Sequence, residues 1–206
     1  MTALRFDALV FDFDGVLVES VDVKTRAFAA LYSGYGPEVV RKVIAYHLEH
    51  GGLSRFEKFR YFHRQLLGLA LSAAEEHSLG ERFSPIVEDA VVAAAWVRGA
   101  VEFLEAFHAK LPLFLASGTP DDELQRIVAR RGMRHFFAGI RGSPASKAKI
   151  LADFVAAHVL RPGRVLMIGD SSTDWEGARE AGTSFLAVTR DPGTLFPATL
   201  PSIPDL

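Results

Sequence analysis

Asp12 and Asp14 stand two residues apart at the end of one apolar run, and Asp170, with Asp174 four residues on, stands at the end of another. Carboxylates gathered from such separate segments would repel strongly in a partly buried cleft, and some would have to protonate. A divalent cation removes the conflict. Hard oxygen donors with no His or Cys beside them favour Mg2+ over zinc. Lys147 opens a predicted helix and can add a positive charge; Lys149 is its rival, but positions two apart on a helix do not face the same way. Ser117 and the Gly118 amide, just ahead of another predicted helix, offer donors to an anion.

These residues can meet only if the chain brings its segments together. Leu9-Val10-Phe11, stopped by Asp12-Phe13-Asp14-Gly15, reads as a buried strand feeding a loop. From Asp22 to about Val97 strand-like runs are scarce and helical spacing dominates. Phe56, Phe59, Phe62 and Leu66 form one apolar stripe, with Arg55, Lys58, Arg60 and Arg64 as its polar positions. Ser54-x-x-Glu57 and Ser72-x-x-Glu75 read as helix starts. After Arg98-Gly99 helices and strands alternate. Strands are expected at Pro112–Ala116, Phe137–Ile140, Arg164–Ile168 and Phe185–Val188. Helices are expected from Ala100 to Leu111, from a start at Thr119-Pro120 to Gly132, over Lys147–Val159, and from Thr173-x-x-Glu176 to Gly182. Such alternation implies an α/β fold, a Rossmann-like three-layer core with a parallel sheet. Ligands bind such sheets beyond the carboxyl ends of the strands. Asp12, Ser117 and Asp170 each end a different predicted strand, so one crevice should hold all three.

At these positions the sequence resembles the haloacid dehalogenase superfamily of phosphotransferases, in its C1-capped phosphatase and phosphoglucomutase-like branch. Phe11-Asp12-Phe13-Asp14-Gly15-Val16 resembles its nucleophile loop, Leu115-Ala116-Ser117-Gly118 its Ser/Thr motif, Lys147 its basic motif, and Gly169-Asp170-Ser171-Ser172-Thr173-Asp174 its acidic motif. The helical stretch then resembles the family's C1 cap, inserted after the first strand. The resemblance implies a core of residues 1–18 and 98–206 and a helical cap of residues 19–97. It implies Asp12 as nucleophile and Asp14 as general acid and base, with Mg2+ held by Asp12, the Asp14 carbonyl and Asp170, and with Asp174 behind or through water. Phosphate would meet Ser117, Gly118 and Lys147. Gly51-Gly52-Leu53-Ser54-Arg55 resembles the Gly-x-Ser-Arg loop of sugar-phosphate members, where Arg55 would clamp the far end of the substrate. The alternative for Arg55 is a capped helix start with a solvent-facing side chain. Glu19, where relatives often carry Asp, and the bulky Trp175 depart from the pattern.

The implied activity is a Mg2+-dependent phosphatase acting on a small phosphorylated metabolite, of phosphoglycolate or sugar phosphate type. A sugar phosphomutase is the nearest alternative. A receiver-type signalling domain shares an acidic pair, Ser/Thr and Lys, but has no helical insertion after its first strand. A dehalogenase would dispense with Asp14. Asp12 and Asp14 as a mere acidic turn, Ser117 as a turn residue and Asp174 as a first-turn acid are the plain readings of each motif taken singly. His47, His50 and His63 read as surface or packing residues, not as ligands.

Composition agrees. The 206 residues are 49% hydrophobic and 23% charged, with 23 basic and 25 acidic side chains and a net charge of −2. That excludes a strong field for nucleic acid or anionic membranes. No cysteine is present, so disulfides, thiolate metal sites and cysteine nucleophiles are excluded. No run approaches the roughly 18 apolar residues of a membrane span, and the first residues lack a secretory pattern. A cytoplasmic enzyme meeting a small-molecule partner is the expectation.

Overall fold

The alternation of β1, Ala8–Phe11, divides the molecule into layers: Leu9 and Phe11 enter one core, Ala8 and Val10 the other. The computed structural model describes residues 5–189, 195–197 and 199–206. Its sheet runs in the order β3-β2-β1-β4-β5-β6 and is parallel throughout. The other strands are β2 (Leu113–Pro120), β3 (Gly139–Ser143), β4 (Val165–Gly169), β5 (Ser184–Val188) and β6 (Ser202–Ile203). Helices α5 (Ala100–Phe107) and α6 (Asp121–Arg130) pack on one face through Leu104, Leu124, Ile127 and Val128. Helices α7 (Lys147–Ala157) and α8 (Ser172–Ala181) cover the other through Ile150, Leu151, Phe154 and Ala178. This is the three-layer, Rossmann-like α/β fold expected of such a pattern.

Register explains the convergence. Phe11 lies opposite Leu115 on one side and Ile168 on the other. Asp12 and Asp170, just beyond β1 and β4, and Ser117, within β2, therefore stand on three neighbouring strands at nearly the same height.

Between β1 and α5 the chain is helical: α1 (Val21–Leu31), α2 (Pro37–Glu49), α3 (Arg55–Tyr61) and α4 (Ala73–Ala93). Both expected helix starts form complete capping boxes, Ser54 with Glu57 and Ser72 with Glu75. Phe28, Phe59, Phe62 and Phe83 interlock edge-to-face and tilted, as aromatic quadrupoles prefer. They continue directly into the core of the sheet's α6 face.

Several expectations shift. The helix read through Phe62 and Leu66 ends at Tyr61 and continues as one wide π-type turn over Phe62–Leu67, which Gly68 stops in the left-handed region. Lys58 and Arg55, assigned to a polar face, are 1% and 5% exposed. Periodicity marks the positions away from the apolar stripe, but here Arg55 meets Glu123 of α6 and Lys58 meets His47 of α2 instead of water. β2 runs on to Pro120, so α6 begins at Asp121 without a side-chain cap, and Thr119 is a strand residue. α8 is capped two residues earlier than Thr173, because Ser171 and Asp174 already form the reciprocal pair. β6 has two residues, too few for a pattern to show. Among the described residues no helix is long and apolar enough to cross a membrane.

α4 is tied to α6 by a charge cluster in which Glu88 accepts from Arg126 at 2.9 Å and Arg130 at 3.2 Å. The Arg126 hydrogen bond leads in holding the Glu88 carboxyl below its ordinary value of 4.5. A carboxyl lowered by folding adds stability above its unfolded pKa and loses it as the pH falls through the folded one. Glu88→Gln should therefore cost a few tenths to about 1 kcal/mol at neutral pH, given the exposed arginines. In urea denaturation the difference between the two proteins should vanish by about pH 3; a gap that persists there would assign Glu88 to packing.

Candidate active site

Asp12 follows β1 directly, held by its amide to the Ile168 carbonyl at 2.9 Å. Lys147, first residue of α7, is placed by the Ser146 cap and reaches across the sheet end. Its ammonium donates to Asp12 Oδ1 at 2.6 Å and to the Ala116 carbonyl at 2.8 Å, and lies 2.7 Å from Asp174 Oδ1. Lys149 is exposed and pairs instead with Asp153. Asp174 is fully buried, its Oδ2 accepting from the Ser171 hydroxyl at 2.6 Å and the Ser171 amide at 3.2 Å. One oxygen each from Asp12, Asp170 and Asp174 lies within 4.8 Å of the others. Gly15 is needed beside them: its φ is +80°, and a Cβ there would strike the Asp170 carboxylate.

Charge in this cluster is out of balance. Burial first, then repulsion from neighbouring carboxylates, pushes both Asp12 and Asp170 well up, with Lys147 opposing. Lys147 is itself raised: burial works against its charge, but Asp12 and Asp174 outweigh burial. Three hard oxygen donors that a single ammonium does not neutralise are a donor set that fits Mg2+.

Asp14 belongs to a different network. Its Oδ1 accepts from the Ser20 hydroxyl at 2.5 Å and its Oδ2 from Lys24 Nζ at 2.5 Å. Lys24 also donates to Thr119 Oγ1 at 2.9 Å. Burial would raise the Asp14 carboxyl, yet the Lys24 ammonium and the Ser20 hydroxyl hold it below the usual range. Ser117 is buried, and its Oγ accepts from the Thr119 amide at 3.1 Å. Gly118 meets the insert so closely that a Cβ would collide with the Gly52 carbonyl.

That contact closes the helical insert over the site. Asp12, Asp14, Lys24, His47, Arg55 and Lys58 are among the residues around a cavity of about 30 Å3, room for about two waters. Arg55 is not solvent-facing. Its guanidinium is paired with Glu123 of α6, donates to Ser84 Oγ at 2.8 Å and lies 4.6 Å from the Phe83 ring centre. Glu123 also accepts from Ser84 at 2.7 Å. Lys58 Nζ contacts His47 Nδ1 at 2.8 Å and the Gly51 carbonyl at 3.3 Å. Burial, then the neighbouring Lys24 charge, lowers the Lys58 ammonium to about 7; burial and the Lys58 charge hold His47 neutral, at about 3. Sequence reasoning did not find Lys24, Lys58, His47 or Glu123. The one signal was the cation at position 58 beside an apolar stripe that proved to be buried on both sides.

Residues 6–182 match the haloacid dehalogenase-like hydrolase family. A phosphoglycolate phosphatase of Synechococcus elongatus is 26% identical over 185 residues, covering 88% of this chain and 83% of that protein. CbbY from Rhodobacter sphaeroides, solved in complex with phosphate, superposes with a TM-score of 0.76 at 17% identity, covering 97% of this chain and 94% of its own. A β-phosphoglucomutase from Clostridium difficile gives a TM-score of 0.75 at 16% identity, covering 90% and 85%. At such identities the two structures carry the fold alone.

The buried Arg55–Glu123 pair makes a stability prediction. Glu123→Ala strands a buried guanidinium and should cost about 3–5 kcal/mol, whereas Arg55→Met with Glu123→Leu should recover most of that loss. Chemical denaturation of the single and double variants measures both. A double variant as unstable as Glu123→Ala would show that packing, not the stranded charge, sets the cost.

Proposed function

This chain belongs to the haloacid dehalogenase-like hydrolase family, and from that premise we propose that it is a Mg2+-dependent phosphatase of a small phosphorylated metabolite, working through an aspartyl-phosphate on Asp12. The observation that carries the reading is Lys147, bonded to Asp12 and beside Asp174 at the carboxyl end of the sheet. Residues 1–18 and 98–206 serve as the catalytic core and residues 19–97 as its cap.

Asp12 attacks phosphorus as the bond to the leaving alcohol breaks, a covalent route open to carboxylates. Lys147 orients Asp12 for that attack and helps carry the charge of the phosphoryl oxygens. Ser117 and the Gly118 amide take further phosphoryl oxygens. Asp14 handles protons: one goes to the leaving oxygen, and one is taken from the water that cleaves the acyl phosphate. Lys24 and Ser20 hold Asp14 deprotonated in the free enzyme, which suits the second of these steps; entry of the phosphate dianion beside Asp14 favours its protonation for the first. Asp12, the Asp14 carbonyl and Asp170, with Asp174 behind them, would hold Mg2+, whose charge offsets that of the transferring group. The closed insert excludes water until turnover.

The Synechococcus relative is a phosphoglycolate phosphatase, which supports a phosphoglycolate or sugar phosphate type of substrate here. Hydrolysis is favoured over phosphomutase chemistry because Arg55, which would grip a second phosphate, already has its charge met by Glu123. A Cys-free chain handling a soluble metabolite fits the cytoplasm.

Asp12→Asn should lower hydrolysis of an aryl phosphate on the order of a thousandfold or more while leaving the melting transition near that of wild type. Saturating chelator should remove wild-type activity, and added Mg2+ should restore it. Full activity in chelator would sink the metal assignment. An isomer formed in place of free phosphate, under a bisphosphate activator, would assign the mutase chemistry instead.

A further inference from the structure

Lys58 is a buried lysine in the cavity wall. It is 1% exposed, and among the described residues no carboxylate lies within ion-pair distance of its ammonium. An ammonium has three donors. Two acceptors are accounted for, His47 Nδ1 and the Gly51 carbonyl, and the Phe28 ring centre lies 5.7 Å away. The other two cations in this wall are satisfied, Lys24 by Asp14 and Arg55 by Glu123. His47 offers Lys58 a lone pair and no charge, being held neutral by burial. A buried cation facing a cavity without a counter-ion is unfavourable unless something brings one.

We propose that Lys58, held in place by His47, is the specificity residue for a carboxylate at the far end of the substrate, so that the preferred substrate is a short phosphomonoester of a hydroxy acid. The proposal rests on the phosphatase reading. Asp12 and Lys58 line the same cavity, so the phosphoryl group at Asp12 leaves its alcohol portion toward Lys58. The cavity beside Lys58 is narrow, about 30 Å3, which favours the smaller anion, a carboxylate, over a second phosphate. Arg55, the sequence's candidate for this task, has its charge occupied. The carboxylate supplies the acceptor and the countercharge that Lys58 lacks, and the cation's desolvation then serves binding.

The test compares 2-phosphoglycolate with its neutral amide, equal in size and different in charge, and with ethylene glycol bisphosphate. All three are assayed with the full chain in Mg2+. Wild type should prefer the acid over the amide by tenfold or more in kcat/KM, and the acid over the bisphosphate. Lys58→Met should lose about ten- to a hundredfold on the acid, the worth of a charge-assisted hydrogen bond, and the acid-to-amide ratio should collapse towards one. Lys58→Gln, which keeps a donor without the charge, should behave alike. At pH 7 the Met variant should melt no lower than wild type, because it removes an uncompensated buried cation. A wild-type ratio near one, equal losses on acid and amide, or a bisphosphate preferred to the acid would overturn the assignment while leaving the phosphatase reading in place. An enzyme inert towards all three and towards aryl phosphates would instead remove the phosphatase reading and this inference with it.

Discussion

Four carboxylates, Asp12, Asp14, Asp170 and Asp174, crowd the carboxyl ends of β1 and β4, and among the described residues only Lys147 and Lys24 lie among them as ion-pair partners. With all four ionised, two ammoniums against four carboxylates would leave two negative charges, which one divalent cation would balance. The rest of the site follows from that deficit. Lys147 must cross from α7 to reach both Asp12 and Asp174, so the α7 N-terminus is fixed by its Ser146 cap. Ser171 must fix Asp174, and so caps α8. Gly15 must lack a side chain, because Asp170 occupies the space. Each is a local demand of chain geometry, and each is set by a single electrostatic problem at the sheet end.

A second constraint is mechanical. The insert touches the core at its tip, where Gly52 rests on Gly118, and along α4, where Glu88 and Asp89 meet Arg126 and Arg130. The two contacts differ in kind. The α4 cluster is wet, so its strength falls with salt and low pH. The Arg55–Glu123–Ser84 group is dry, and opening the insert would expose charges that are satisfied only while it is shut. The buried group therefore ties α3 and α4 to α6 without help from solvent, and the exposed pairs add only a screened attraction.

Five of the six described strands, the order of the helices and the convergence of Asp12, Ser117 and Asp170 were legible in the sequence, because the apolar runs have the lengths and stops of buried strands and parallel register follows from alternation. Ser54 and Ser72 were legible because a capping box is a local motif. Lys24, Lys58 and Glu123 were not. Each lies on a helix whose sequence marks it as a polar position, and its burial depends on another element: Thr119, 95 residues from Lys24, Ser84, 39 residues from Glu123, and His47, 11 residues from Lys58. Periodicity tells which residues avoid the apolar stripe. It does not tell whether the opposite face meets water or another part of the chain.

Arg55 and Lys58 show what that difference does. They lie three residues apart on α3, one turn of helix, and both turn towards the same cavity. Glu123 reaches Arg55 and does not reach Lys58, so the two cations differ in what they ask of a ligand. A guanidinium in a saturated pair gains little from an arriving anion, which would have to displace a carboxylate already in place. An ammonium with only an imidazole, a carbonyl and a ring beside it gains a counter-ion at no such cost. Recognition at this end of the molecule is therefore fixed on the core side. The position of Glu123 on α6 decides which of the insert's cations remains open to the substrate.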